Sequence, residues 1–145
     1  MYQMSDVDTL ANVCTMLEDL PFVITFGISV LDCTPGAVTV QMPYDAQFST
    51  PPHHYPASII GMIGDVAAVS SCVSCLPDGW AAATLDYTVK MTGPATGAAL
   101  IARGRVLQNG RTTSVAAAEV YTVSEGREVF CGSVLATSRN FEIKK

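Results

Sequence analysis

One segment of the sequence, from Ala57 to Leu76, is apolar or small almost throughout, and Asp65 is its only charged residue. Its length and its end at Pro77-Asp78-Gly79 predict one long helix. A helix that is apolar on all sides must be surrounded by the rest of a soluble fold. A membrane-spanning helix is disfavoured, because the segment is rich in Gly, Ser and Ala and lacks flanking Lys or Arg. We therefore expect this helix at the centre of the core.

The sequence after this helix has the two-residue periodicity of strands. In residues 82–92, Thr84 and Asp86 alternate with Leu85 and Tyr87, which predicts opposite faces for the two pairs. Three more strands are expected at 100–106, 113–123 and 129–137. The turns between them contain residues that tolerate positive φ, so we predict an antiparallel meander of four strands.

Before the helix, residues 6–20 have apolar side chains at helical spacing, with Ser5 or Asp6 available as an N-cap, and predict a short lead helix. Residues 23–31 and 37–42 are rich in β-branched side chains and flank Pro35-Gly36, which predicts a hairpin.

Residues 48–56 hold three prolines and two histidines and predict an extended loop. The resulting fold class is α+β, with a curved antiparallel sheet of about six strands around one helix. The chain is expected to be a single domain over residues 1–145.

Charge excludes some classes of partner. The net charge is −5 and only 8 residues are Lys or Arg, which disfavours nucleic acid and anionic membranes. Charged residues make up 14% of the chain, well below the usual roughly 25%. We therefore expect part of the surface to be covered in a homodimer or a dimer-of-dimers tetramer.

The chain has five cysteines, an odd number scattered through apolar segments, which predicts reduced core thiols. Cys72 and Cys75 have no second pair with metal-ligand spacing, so we expect no metal site. The acidic N-terminus lacks the pattern of a signal peptide, and a cytoplasmic location is expected.

From residue 22 to residue 137 the chain resembles the PaaI-like acyl-CoA thioesterases of the hot-dog fold. Two segments carry this resemblance: ASIIGMIGDVAA, starting at Ala57, and TLDYTVKMTGP, starting at Thr84. The family usually has His-Gly-Gly nine residues before the acid, where this chain has Pro56-Ala57-Ser58, and an Asn that falls near Thr50 is also absent. The family's Ser or Thr on the following strand is retained as Thr84.

The resemblance implies hydrolysis of an acyl thioester, with Asp65 as the base for water or as a nucleophile. Burial in an apolar helix is expected to raise the pKa of Asp65. Thr84 is expected to hold the water or to orient Asp65. The amides of Ala57 and Ser58 at the helix start would stabilise the oxyanion, with the amide and the acid coming from different subunits. His54 lies two residues before the missing histidine and is a further candidate.

Coenzyme A would be part of the substrate, so no separate cofactor is expected. Its phosphates need cationic partners, and the candidates are Arg111 and Arg105, followed by Arg103 and Arg139. Met62 and Ile63 on the central helix are candidates to line a tunnel for the acyl chain.

Two other hypotheses remain open. Loss of the His-Gly-Gly and Asn positions is also compatible with a non-catalytic protein that binds acyl-CoA or another ligand. A hot-dog dehydratase or hydratase would pair a histidine with an acid, but the eleven-residue step from His54 to Asp65 fits that pattern poorly.

Overall fold

The computed structural model describes residues 7–144, and their side chains from residue 13 onward. The first elements are the helices α1 (Val7–Glu18) and α2 (Pro21–Phe26). The hairpin β1 (Ser29–Thr34) and β2 (Ala37–Pro43) follows, and a short 3-10 helix (Ala46–Phe48) leads towards the central helix. The expected N-cap of α1 at Ser5 or Asp6 lies outside the described residues.

The second half begins with the central helix α3 (Ala57–Val73). The strands β3 (Trp80–Met91), β4 (Ala99–Asn109), β5 (Thr113–Ser124) and β6 (Arg127–Glu142) follow it. All six strands form one antiparallel sheet in the order β1-β2-β4-β5-β6-β3. One long helix packed on a six-stranded sheet confirms the predicted α+β hot-dog architecture.

Helix α3 lies against the concave face of the sheet and contacts β2 to β6. Ile60, Ile63 and Ala67 on this helix are fully buried. The helix and the sheet approach closely at Gly104, where a Cβ atom would overlap the backbone carbonyl of Ala67. Glycine is therefore required at this point of β4, and it lets the helix seat deeply in the sheet.

Two predictions about the elements are wrong. Residues 23–31 are not a strand throughout, because Pro21–Phe26 forms α2. Proline at the first helical position and Gly27 in the left-handed conformation (φ 69°) at the C-cap favour a short helix there. The four later strands are also not a meander in sequence order, since β3 pairs with β6 and not with β4.

The expectation of five reduced cysteines is wrong as well. Cys14 on α1 and Cys33 on β1 form a disulfide across a sequence separation of 19 residues. Local sequence patterns do not indicate this pairing, because it depends on the packing of α1 against β1. Cys72 and Cys131 are buried free thiols, and burial is the main cause that raises the pKa of each to about 11.

Candidate active site

Asp65 lies in the middle of α3, half-buried, and faces the first part of β3. The Oγ1 atom of Thr84 donates a hydrogen bond of 2.9 Å to the Oδ1 atom of Asp65. The two residues that the sequence singled out as acid and hydroxyl are thus in direct contact. Within the described part of the chain, Oδ2 of the same carboxylate has no hydrogen-bond partner, so it is available to a water molecule.

The environment of Asp65 favours its neutral form more than water does. Burial is the largest cause and raises the pKa of Asp65 above its ordinary value, while the hydrogen bond from Thr84 acts in the opposite direction. A carboxylate with a raised pKa is a stronger base than a surface aspartate. The site therefore has the electrostatics expected of a general base.

An irregularity in β3 places both Thr84 and Tyr87 on the side of the sheet that faces α3. Thr84 pairs with Ser138 and Asp86 pairs with Thr137, so Leu85 is an extra residue without a partner on β6. A bulge of this kind exchanges the faces of the sheet along a strand. Tyr87 consequently also faces α3, where a Cβ atom at Gly61 would lie 2.8 Å from the Cε2 atom of its ring. The predicted alternation, with Thr84 and Tyr87 on opposite faces, is wrong for this reason.

A cavity of about 770 Å³ opens beside Asp65 and Thr84. Its walls are the C-terminal half of α3, helix α1 with the start of α2, the beginning of β3, and Ile143 after β6. Most lining side chains are apolar. Sequence reasoning missed the part that α1 plays here, because the helical spacing of Val13 and Leu17 indicated only that one face of α1 is buried.

The start of α3, where the oxyanion donors are expected, lies far from Asp65 in the same chain. Pro56 is the N-cap and no side chain caps the helix. The Pro56 carbonyl accepts hydrogen bonds from the amides of Ile59 and Ile60, while Ala57 and Ser58 are exposed. Eight residues of helix separate Ala57 from Asp65, about 12 Å at 1.5 Å per residue. One chain therefore does not bring both groups to the same carbonyl.

His54 lies in the loop before α3 and is half-buried. Its backbone pairs with that of Thr50, with N–O distances of 2.9 and 2.8 Å. Among the described residues, the side chain of Asp65 has its hydrogen bond with Thr84 and none with His54. The structure does not join His54 to the acid, and its proposed role stays a prediction.

The cationic candidates lie outside the cavity. Arg105 is bound to Glu119 at 2.9 Å, and Arg103 to Glu128 at 2.8 Å, both on the face of the sheet opposite α3. Arg111 is exposed in the turn between β4 and β5. A role for Arg105 or Arg111 in binding phosphates remains a prediction and would involve a region other than the cavity.

Met62 is partly buried against the core and does not line this cavity, and Ile63 is fully buried. The tunnel expected beside these two residues is therefore not the cavity that holds Asp65. Val66, Val69 and Val73, further along α3, line that cavity instead.

Among the side chains that the structure describes, from residue 13 to residue 144, no cluster of three or more His, Cys, Asp or Glu has the geometry of a metal site. The helices of residues 7–144 are all too short or too polar to cross a bilayer.

Solved structures of other proteins have the same fold as this chain. A thioesterase family protein from Silicibacter pomeroyi is 27% identical, with a TM-score of 0.86 over 90% of this chain and 96% of its own. The chain is a hot-dog-fold protein that resembles the thioesterases. This confirms the resemblance and the fold that the sequence predicted.

Two more distant structures show the same fold. A thioesterase from Haemophilus influenzae is 18% identical, with a TM-score of 0.83 over 100% of this chain and 98% of its own. A phenylacetic acid degradation-related protein from Ralstonia eutropha, named as a candidate thioesterase, is 20% identical, with a TM-score of 0.75 over 88% and 98%. No protein-family model and no curated protein sequence matches this hot-dog chain.

Proposed function

We propose that this hot-dog protein is an acyl-CoA thioesterase in which Asp65 activates the attacking water. The observation that carries the proposal is the half-buried carboxylate of Asp65, held by Thr84 at the wall of an apolar cavity. Named thioesterases among the structural relatives support the same reaction class. Coenzyme A would enter as part of the substrate, and no separate cofactor is needed.

In the proposed reaction, Asp65 accepts a proton from water as the water oxygen attacks the thioester carbonyl. The carbonyl oxygen becomes an oxyanion, which backbone amides stabilise. When the tetrahedral species collapses, the carbon–sulfur bond breaks and the proton passes to the leaving thiolate of coenzyme A. The products are the free acid and the thiol.

The oxyanion donors of the proposal come from a second copy of the chain. Within one chain Ala57 and Asp65 are about 12 Å apart along α3, so the exposed helix start of one subunit would serve the acid of the other. Strand β3 lies at the edge of the sheet and has three exposed apolar side chains, Leu85, Tyr87 and Met91. An exposed apolar edge strand is a template for pairing with another chain, which supports a homodimer or a dimer of dimers.

Substitution of Asp65 by Asn tests the proposal. Asn keeps the shape and can still accept the hydrogen bond from Thr84, but it cannot accept the proton from water. We expect kcat/KM for a panel of acyl-CoA thioesters to fall by roughly 10²- to 10⁴-fold, measured by release of free thiol.

The control is the free energy of unfolding of the Asp65→Asn variant, compared with that of the wild type. The pKa of Asp65 is raised in the folded wild type. Ionisation of Asp65 therefore lowers the free energy of unfolding as the pH rises above the ordinary pKa of aspartate. Asp65→Asn removes this loss of stability and should unfold in urea at neutral pH no more easily than the wild type. If the folded wild type and variant are equally inert, the hydrolase proposal fails, and binding of CoA esters without turnover would indicate a ligand-binding protein.

A further inference from the structure

The cavity beside Asp65 has a direction that follows α3. Asp65, Val69 and Val73 line it at spacings of four residues, which places them along one face of α3, and Leu76 lines it beyond the end of the helix. At 1.5 Å per residue the path along α3 from Asp65 to Val73 is about 12 Å. A ligand group that starts at the carboxylate therefore has an apolar path comparable with an extended decanoyl chain.

Helix α1 forms the opposite wall of this path. Leu17 is buried, whereas Met16 is 64% exposed although it lines the cavity. Leu20 and Phe22 at the mouth are also exposed apolar side chains. Exposed apolar surface around a cavity is the usual sign of a ligand that covers it.

The charged residues that line the cavity indicate that the ligand has no negatively charged group there. Its charged lining residues are the acids Asp65 and Asp78, and no Lys, Arg or His is among the described residues that line it. A carboxylate on the acyl chain would lie beside the carboxylate of Asp65 and a mostly apolar lining, and none of these lining residues is a cation. The mostly apolar lining therefore favours the acyl end of the thioester over the phosphates of coenzyme A as the occupant of the cavity.

We propose that this cavity is the acyl-chain subsite, and that it selects uncharged aliphatic acyl groups of medium length, up to about the decanoyl class. This inference rests on the proposed thioesterase function and specifies its substrate. The thioester carbonyl lies at Asp65, and the chain runs towards Leu76 between α1 and α3. Val73 lies far enough along the path to limit the length of the chain.

Binding of non-hydrolysable thioether analogues tests the subsite independently of turnover. Calorimetric titration of the wild type with butyl-, octyl- and decyl-CoA should show affinity that rises by up to about fourfold for each added methylene. An analogue of the octyl compound with a terminal carboxylate should bind at least about tenfold more weakly than octyl-CoA, because none of the described residues that line the cavity is a cation.

Two substitutions locate the chain within the cavity. Val73→Trp should block the far part of the path, so that decyl-CoA binds at least about tenfold more weakly while butyl-CoA is unaffected. The matched control is Val115→Trp, because Val115 is also a half-buried valine but lies on β5 outside the cavity. If Val73→Trp does not fold, Met16→Ala provides the test, since truncation of this exposed wall residue should weaken the binding of octyl-CoA more than that of butyl-CoA.

The outcomes separate this inference from the proposed reaction. Affinity that grows with chain length, without hydrolysis of any ester, would support the subsite and overturn the hydrolase proposal. Hydrolysis with no dependence on chain length, or equal effects of Val73→Trp and Val115→Trp, would overturn the subsite while the hydrolase proposal stands.

Discussion

At the scale of single residues, the contact between Asp65 and Thr84 decides the chemistry of the site. The sequence identified both residues, because one is the lone charge of an apolar helix and the other matches a family position. It did not predict their geometry. The prediction assumed that side chains alternate strictly between the two faces of β3. Leu85 breaks this alternation, because it is an extra residue without a partner on β6, and only the pairing of the two strands reveals it.

Substitution of Thr84 by Val should change the pH dependence of hydrolysis. The Thr84 hydroxyl stabilises the carboxylate form and lowers the pKa of Asp65, against the larger effect of burial. Its loss should raise that pKa further, so the acidic limb of the kcat/KM profile should move to higher pH. The fall in activity should be largest on this limb and smallest on the alkaline plateau.

Thr84→Ser provides the control, since a serine hydroxyl restores the donor and should restore the wild-type profile. A Thr84→Val profile that is lowered equally at every pH would contradict the assigned role of the hydrogen bond.

At the scale of secondary-structure elements, the sequence predicted the helices and strands that have a clear local periodicity. It identified α3 and most strands, but it assigned Val23 and Ile24 to a strand because β-branched residues favour strands. Pro21 and Gly27 determine the local structure instead, and the complete burial of Val23 stabilises the short helix α2. The disulfide was missed because it depends on how α1 packs, which local periodicity does not indicate.

The disulfide between Cys14 and Cys33 should stabilise the wall that α1 forms. It closes a loop of 19 residues, for which the chain-entropy model gives about 3 kcal/mol. Replacement of both cysteines by serine should lower the free energy of unfolding in urea by about that amount. Because α1 lines the cavity, we also expect weaker discrimination between octyl- and butyl-CoA.

Dithiothreitol is the matched control for this pair of substitutions. It should destabilise the wild type to the level of the double variant and leave the double variant unchanged. A wild type that is insensitive to the reductant, although its thiols become titratable, would show that the disulfide contributes nothing to stability.

At the scale of the whole molecule, the sheet has two different edges. β1, which belongs to a hairpin, is the edge strand on one side of the sheet. The edge strand on the other side is β3, which has twelve residues and exposed apolar side chains. The sequence suggested assembly from its low charge alone and placed β3 in a meander, so it did not predict which strand is at the edge. That position depends on the non-local pairing of β3 with β6.

Substitution of Leu85 by Asp should disrupt assembly. Leu85 is 59% exposed on β3, and a charge on an edge strand opposes pairing with a second copy. Light scattering should show a monomer, and hydrolysis should be lost with it, because the proposed oxyanion donors belong to the other subunit. Leu107→Asp is the control, since Leu107 is 52% exposed but lies on the internal strand β4. A dimeric, inactive Leu85→Asp variant would contradict the proposed interface.

The single unpaired position at Leu85 also indicates where a strand of this kind can diverge. Loss of Leu85 would leave Thr84 opposite Ser138, Asp86 opposite Thr137 and Tyr87 opposite Ala136 on β6. Regular alternation would then keep the threonine hydroxyl and the tyrosine ring on the side of the helix. A descendant that lacks this residue would retain both its architecture and its reaction centre, whereas a deletion elsewhere in the strand would turn one of the two side chains away.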